Sequence, residues 1–148
     1  MTGFGSPADL TFNRGLIADP ADFARAAGAA SWLYLCSDEF AEMPGGMSYA
    51  QVEQAVPVSA HVVADTPPLS MALAQKLIDA LDELPKPALV TCRAGPRSSA
   101  LVYLYAGLRA GAPAEDVIAR AEADEAPFVA MEPLRAWVTQ AIGELRVR

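Results

Sequence analysis

The chain has 148 residues, of which 53% are apolar and 20% charged, and a formal net charge of −7. That length suits one ordinary domain, large enough to bury a core without metal or disulfide, and the composition is globular rather than disordered. The negative charge argues against a nucleic-acid surface and against docking on anionic lipid.

Two cysteines, Cys36 and Cys92, make no disulfide framework. Met1 to Leu10 has neither the positive flank nor the apolar stretch of a secretory signal. No window approaches the about eighteen continuous apolar residues of a membrane span. The expectation is one domain over residues 1–148, soluble in a reducing cytoplasm, with no nucleic-acid or membrane partner and no cofactor.

In chain order, Leu10 to Ile17 reads as a first strand, and Asp19-Pro20 starts a helix reaching about Gly28, with Asp19 a suitable N-cap and Pro20 a suitable first helical residue. Ser31 to Cys36 is an apolar run without polar alternation, the pattern of a strand buried on both faces. Ser37 to Met47, with its acids, Pro44 and Gly45-Gly46, is a loop, and a short helix follows over Ser48 to Gln54. Val56 to Ala64 is the next strand, closed by Asp65-Thr66-Pro67-Pro68. Ser70 to Leu84 has helical apolar spacing at Met71, Leu73, Leu77, Ile78 and Leu81. Ala88 to Thr91 is a strand, Cys92 to Arg97 a tight loop, and Ser98 to Arg109 an apolar helix stopped near Gly111. Helices over Pro113 to Ala123 and Glu132 to Leu145 finish the chain. Alternation of strand and helix implies an α/β fold, a mostly parallel sheet flanked by helices.

The segment Thr91-Cys92-Arg93-Ala94-Gly95-Pro96-Arg97-Ser98 carries the chemistry. A buried strand, a glycine-containing turn and a helix start make an anion site, because the first helical N–H groups lack intrahelical acceptors and carry the positive end of the dipole. A cysteine at the strand's end faces that field, and its thiol pKa is expected to fall from about 8.5 into the range of roughly 3.5–7.5. Arg93 and Arg97 add positive charge, and Arg97 can present a planar fork to a tetrahedral oxyanion. Gly95 lets the backbone turn and approach a ligand. Ser98 can cap the helix or hydrogen-bond the thiolate. A lone cysteine at a strand end is ordinarily a small buried residue. Here two arginines, a glycine and a helix start share its loop, and Cys92 reads as a nucleophile.

Cys92-Arg93-Ala94-Gly95-Pro96-Arg97-Ser98-Ser99 resembles the signature of bacterial phosphatase-like proteins related to the domain fused to beta-lactamase-hydrolase-like proteins, distant relatives of dual-specificity protein tyrosine phosphatases. The resemblance runs over roughly Thr11 to Leu145, including the strand ending His61-Val62-Val63-Ala64-Asp65 and the helical tail after Gly111. It implies a protein tyrosine phosphatase-like fold and a phosphate-bearing or other oxyanion substrate. It makes Cys92 the nucleophile, Arg97 the oxyanion clamp, and Ser98 the group that assists breakdown of a phosphocysteine. Asp65 becomes the general acid, and Arg93, Ala94, Gly95, Arg97 and Ser98 form the anion cradle. A turn acid before Pro67-Pro68 is the plainer reading of Asp65.

The chain departs from that signature in three ways. The phosphatases place five residues between cysteine and arginine, and Arg93-Ala94-Gly95-Pro96 supplies four. Thr91 stands where they usually carry histidine, and Pro96 removes one loop N–H donor. The same spacing is similar to the active loop of rhodanese-type sulfurtransferases, which carry a persulfide on cysteine. Loop size favours sulfur transfer, and the helical tail from Pro113 onward resembles the phosphatase side; on architecture, phosphatase-like hydrolysis ranks first, sulfur transfer second, and a non-catalytic anion-binding module third.

Other residues have plainer readings. Cys36, ending a strand on the same sheet edge, is a buried structural cysteine or a resolving thiol. His61, the only histidine, has no partners for a zinc site. Asp38, Glu39 and Glu42 read as solvated loop acids, and Trp32, Tyr34, Tyr103, Tyr105 and Trp137 as packing residues.

Overall fold

A computed structural model of the chain describes residues 4–65 and 68–146. Strands β1 (Leu10–Phe12), β2 (Ser31–Tyr34), β3 (Val58–His61) and β4 (Ala88–Thr91) form one parallel sheet in the order β1-β4-β2-β3. The two central strands, β2 and β4, are buried at every residue. Their unbroken apolar runs follow from being covered on both faces. The edge strands are only partly covered.

Helices α1 (Pro20–Ala27) and α2 (Tyr49–Ala55) cover one face of the sheet, and α3 (Met71–Glu83), α4 (Pro96–Ala110), α5 (Ala114–Ala123) and α6 (Glu132–Glu144) the other. The starts follow from the caps: Asp19 accepts the Asp22 N–H, Ser48 and Gln51 make a reciprocal capping box, and Ser70 accepts from Leu73. Helix α4 is buried from Ser98 to Gly107 and is the central post of its layer. Its sequence is apolar nearly all round for that reason.

Strand alternation sorts side chains between the layers. Leu33, Leu35, Val90 and Cys92 belong to the α3–α6 layer, and Trp32, Tyr34, Cys36 and Leu89 to the α1–α2 layer. The chain crosses from β1 to β2 to β3 in one direction, then returns from β3 to β4. Crossovers of one hand must change face when the direction reverses, as α3 does. Strand β4 therefore lies between β1 and β2, whose outgoing segments lead to the opposite layer. A crevice opens there at the strands' carboxyl ends, the usual ligand position in such sheets.

Two strands are shorter than their sequence pattern predicts. The first stops at Phe12 instead of Ile17, because Asn13 is drawn into the β4–α4 loop and Gly15 has φ +133°. The third spans Val58–His61 rather than Val56–Ala64, with Val62 and Ala64 still bonded to the end of β2. The loop Ser37 to Met47 holds a 3-10 turn over Asp38–Glu42. Among the described residues no helix is long and apolar enough to cross a membrane.

Candidate active site

The loop after β4 closes tightly around the Cys92 sulfur. Gly95 N–H donates to Cys92 Sγ at 3.2 Å and Ser98 N–H at 3.3 Å, and the Ser98 hydroxyl lies 3.4 Å from the same atom. Cys92 is 4% exposed, with its sulfur at the inner end of a cleft. Gly95 makes this turn with φ +118°. A Cβ there would sit 2.2 Å from the Asn13 carbonyl oxygen, so the position has no room for a side chain.

Helix α4 begins at Pro96, two residues before the predicted Ser98, with Gly95 as N-cap. The proline sits where its missing N–H has no intrahelical acceptor to lose. Ser98 is thus inside the first turn and is no cap. Its hydroxyl is within bonding distance of Gly95 O at 3.1 Å and Asn13 Oδ1 at 3.0 Å, besides the sulfur.

Thr91, immediately before the nucleophile candidate, faces the opposite layer, where its Oγ1 accepts the buried Trp32 indole N–H at 2.8 Å. A residue at that position reaches the α1–α2 core, not the cleft.

The two arginines diverge. Arg97 lines the cleft, and its Nη1 donates to the Ala64 carbonyl. Arg93 instead donates from Nε to Asp65 Oδ2 at 3.0 Å, with Nη1 3.3 Å from Met43 Sδ and its guanidinium over the Phe40 ring. Hydrogen bonding to Asp65 and its charge hold Arg93 firmly protonated. Its positive charge is directed to Asp65 rather than to the sulfur.

Asp65 is the other wall of the cleft. Its side chain is 5% exposed, and Oδ2 also accepts the Ser37 N–H at 3.0 Å and hydroxyl at 3.3 Å. Oδ1 is buried with no partner among the described residues. The cleft, about 420 Å³, runs from Cys92 past Ala94 and Pro96 to an apolar wall of Leu69, Met131, Pro133 and Leu134. All of Cys92, Arg93, Ala94, Gly95, Arg97, Ser98 and Asp65 therefore meet in one region, built from the β4–α4 loop and the segment after β3.

Asn13 is a member of this region that sequence reasoning missed. It lies just beyond β1 and bonds Cys92 through both its N–H and its carbonyl. The signal was a polar residue at a strand end, legible only once β1 is known to pair with β4.

The remaining candidates lie elsewhere. Cys36 is fully buried in the α1–α2 layer, across the sheet from Cys92, and burial pushes its thiol up to about 12, with the Cys92 charge adding to that. His61 stacks on Tyr49 and donates from Nε2 to the Cys36 carbonyl at 2.6 Å. The 3-10 turn places Phe40 under the Arg93 guanidinium.

No protein-family model matches the chain, and no curated protein sequence does. Solved structures do. Tk-PTP in its active form superposes with TM-score 0.72 at 14% identity, covering 93% of both chains. A candidate phosphatase from Neisseria meningitidis gives 0.66 at 19% identity, over 90% of this chain and 93% of that one. A candidate phosphatase from Shewanella putrefaciens gives 0.64 at 21%, over 95% and 88%. The fold is that of the protein tyrosine phosphatase-like proteins.

Proposed function

We propose that the protein is a cysteine-dependent phosphatase, acting on a phosphate monoester through a phosphocysteine at Cys92. The observation that carries this reading is the convergence of two backbone N–H groups and the Ser98 hydroxyl on one sulfur in an open cleft. The shared fold supports it.

In the first step the Cys92 thiolate attacks phosphorus. The S–P bond forms, the P–O bond to the leaving group breaks, and the departing oxygen takes a proton from Asp65. Arg97 turns from the Ala64 carbonyl toward the equatorial oxygens, where a planar fork matches a phosphoryl group. In the second step water attacks phosphorus and returns a proton to Asp65. The S–P bond breaks, and the Ser98 hydroxyl receives the expelled thiolate.

Single-turnover assays on wild type and Cys92→Ser test this, with an aryl phosphate in one arm and thiosulfate plus cyanide in the other. Phosphate release that Cys92→Ser abolishes is expected. Thiocyanate without phosphate would move the chain to sulfur transfer, the reading favoured by the four-residue interval and by Pro96. Asp65→Asn is expected to slow hydrolysis of an alkyl phosphate by about 10²–10⁴-fold, and that of an aryl phosphate with a good leaving group much less. Equal losses on both substrates would remove Asp65 from the acid role.

A further inference from the structure

Asn13 is 1% exposed, yet its amide grips the peptide units of Cys92 on both sides. Oδ1 accepts the Cys92 N–H at 3.2 Å and is 3.0 Å from the Ser98 hydroxyl. Nδ2 donates to the carbonyls of Cys92 and Gly15, each at 2.9 Å, with the Arg93 carbonyl at 3.4 Å. A primary amide offers two donors and one oxygen with two lone pairs. Every one of them is committed here, three of the four to the catalytic loop. The pairing Phe12↔Val90 brings the residue after β1 level with the end of β4.

The Ser98 hydroxyl has a single proton and three neighbours: Asn13 Oδ1, Gly95 O and Cys92 Sγ. While the sulfur is a thiol, its S–H donates to Ser98 Oγ, and the hydroxyl proton goes to Asn13 or Gly95. Once the sulfur is a thiolate, the same proton can rotate onto it without the oxygen moving. The Ser98–Asn13 bond therefore belongs to the thiol state, while the bonds from Asn13 to the Cys92 N–H and carbonyl persist in both.

We propose that Asn13 is a positioning residue of the catalytic loop: it clamps the peptide units on both sides of Cys92 and so fixes the sulfur against the Gly95 and Ser98 N–H groups. The proposal rests on Cys92 being the nucleophile. The charged groups sharing the cleft are Arg93, Arg97 and Asp65, with Cys36 behind the sheet. None of them is altered in the test.

The test is the pH profile of Cys92 alkylation by iodoacetamide, read by mass spectrometry, on wild type, Asn13→Ala and Asn13→Asp. Melting curves report whether each variant is folded. Asn13→Ala is expected to alkylate about two- to tenfold more slowly near neutrality, the scale of one hydrogen bond, with the profile displaced to higher pH. Asn13→Asp is expected to be slow when its carboxylate is charged. It recovers toward the wild-type rate as pH falls, because the neutral acid restores one donor and one acceptor in the same shape.

Folded variants with the wild-type profile would overturn the proposal. So would loss of a cooperative melt in both, which would make Asn13 a folding residue only. Phosphate release from an aryl phosphate, on the same samples, keeps the two readings apart. A fall in kcat at constant KM extends the assignment to turnover. A displaced alkylation profile in a protein that releases no phosphate would retain Asn13 and discard the phosphatase.

Discussion

Two thiols of the same chain differ through their surroundings alone. Cys92 meets two N–H groups at the inner end of a cleft, and Cys36 meets Tyr34, Phe40 and Met47 in an apolar layer. Burial raises Cys36 to about 12, so it stays a neutral thiol throughout the neutral and mildly alkaline range. Brief iodoacetamide treatment near pH 8 is therefore expected to label Cys92 and leave Cys36 unmodified, as peptide mass mapping would show. Equal labelling would mean that the α1–α2 layer opens on that timescale. Asn13 shows why one residue escaped the sequence. In the string it is the fourth position of an apparent strand, and its bonds to the β4–α4 loop reach residues 79 to 85 positions away. Nothing local announces a long-range amide clamp.

At the level of elements, most of the site was legible because its parts are contiguous. Strand β4, the turn and helix α4 occupy one unbroken stretch, and the fully apolar β2 and β4 declared themselves central. The start of α4 was misjudged by two residues because proline reads as a breaker, although it suits the first helical turn. The pairing of Arg93 with Asp65 was not legible, since two arginines one and five positions after Cys92 look alike in a string. Both reach the segment after β3, Arg97 at the Ala64 carbonyl and Arg93 at the Asp65 carboxylate, and the 3-10 turn packs Phe40 against Arg93. Thr91 gives an element-scale prediction. It ties β4 to β2 through the Trp32 indole, so Thr91→Val leaves a buried N–H without its partner and is expected to cost about 1–3 kcal/mol. Phosphate release by the folded variant should be preserved, because this residue faces away from the cleft. A large loss of turnover without loss of stability would contradict the sorting of residues between the two faces.

Over the whole molecule, the segment before β1 is tied to the end of α4 by a two-pronged contact of Arg109 with Asp9, at 2.8 and 3.0 Å. Hydrogen bonding to Arg109 holds the Asp9 carboxyl below its usual range. A carboxyl with a depressed folded pKa stabilises the fold above its unfolded value, near 3.8, and that contribution fades as pH falls through the folded value. Both side chains are more than a third exposed, so solvent screening keeps the gain under about 1 kcal/mol. Asp9→Asn is expected to lower the melting temperature by about 2–4 °C or less at pH 7. The difference from wild type should hold above the unfolded value and close only as pH falls through the lower folded one; a gap that widens toward acid would reverse the assignment. The sheet order, unlike the elements, was invisible in the string, because which strands become neighbours is decided by crossovers that the periodicity does not encode. The separation of the two cysteines by the sheet also bears on oxidative damage. A sulfenic acid formed at Cys92 finds its nearest chain-mate thiol on the far side of a hydrogen-bonded wall. A protective disulfide must then come through the cleft mouth from a small diffusing thiol; in its absence the sulfenic acid is left to condense with a backbone nitrogen or to oxidise further to the irreversible acids.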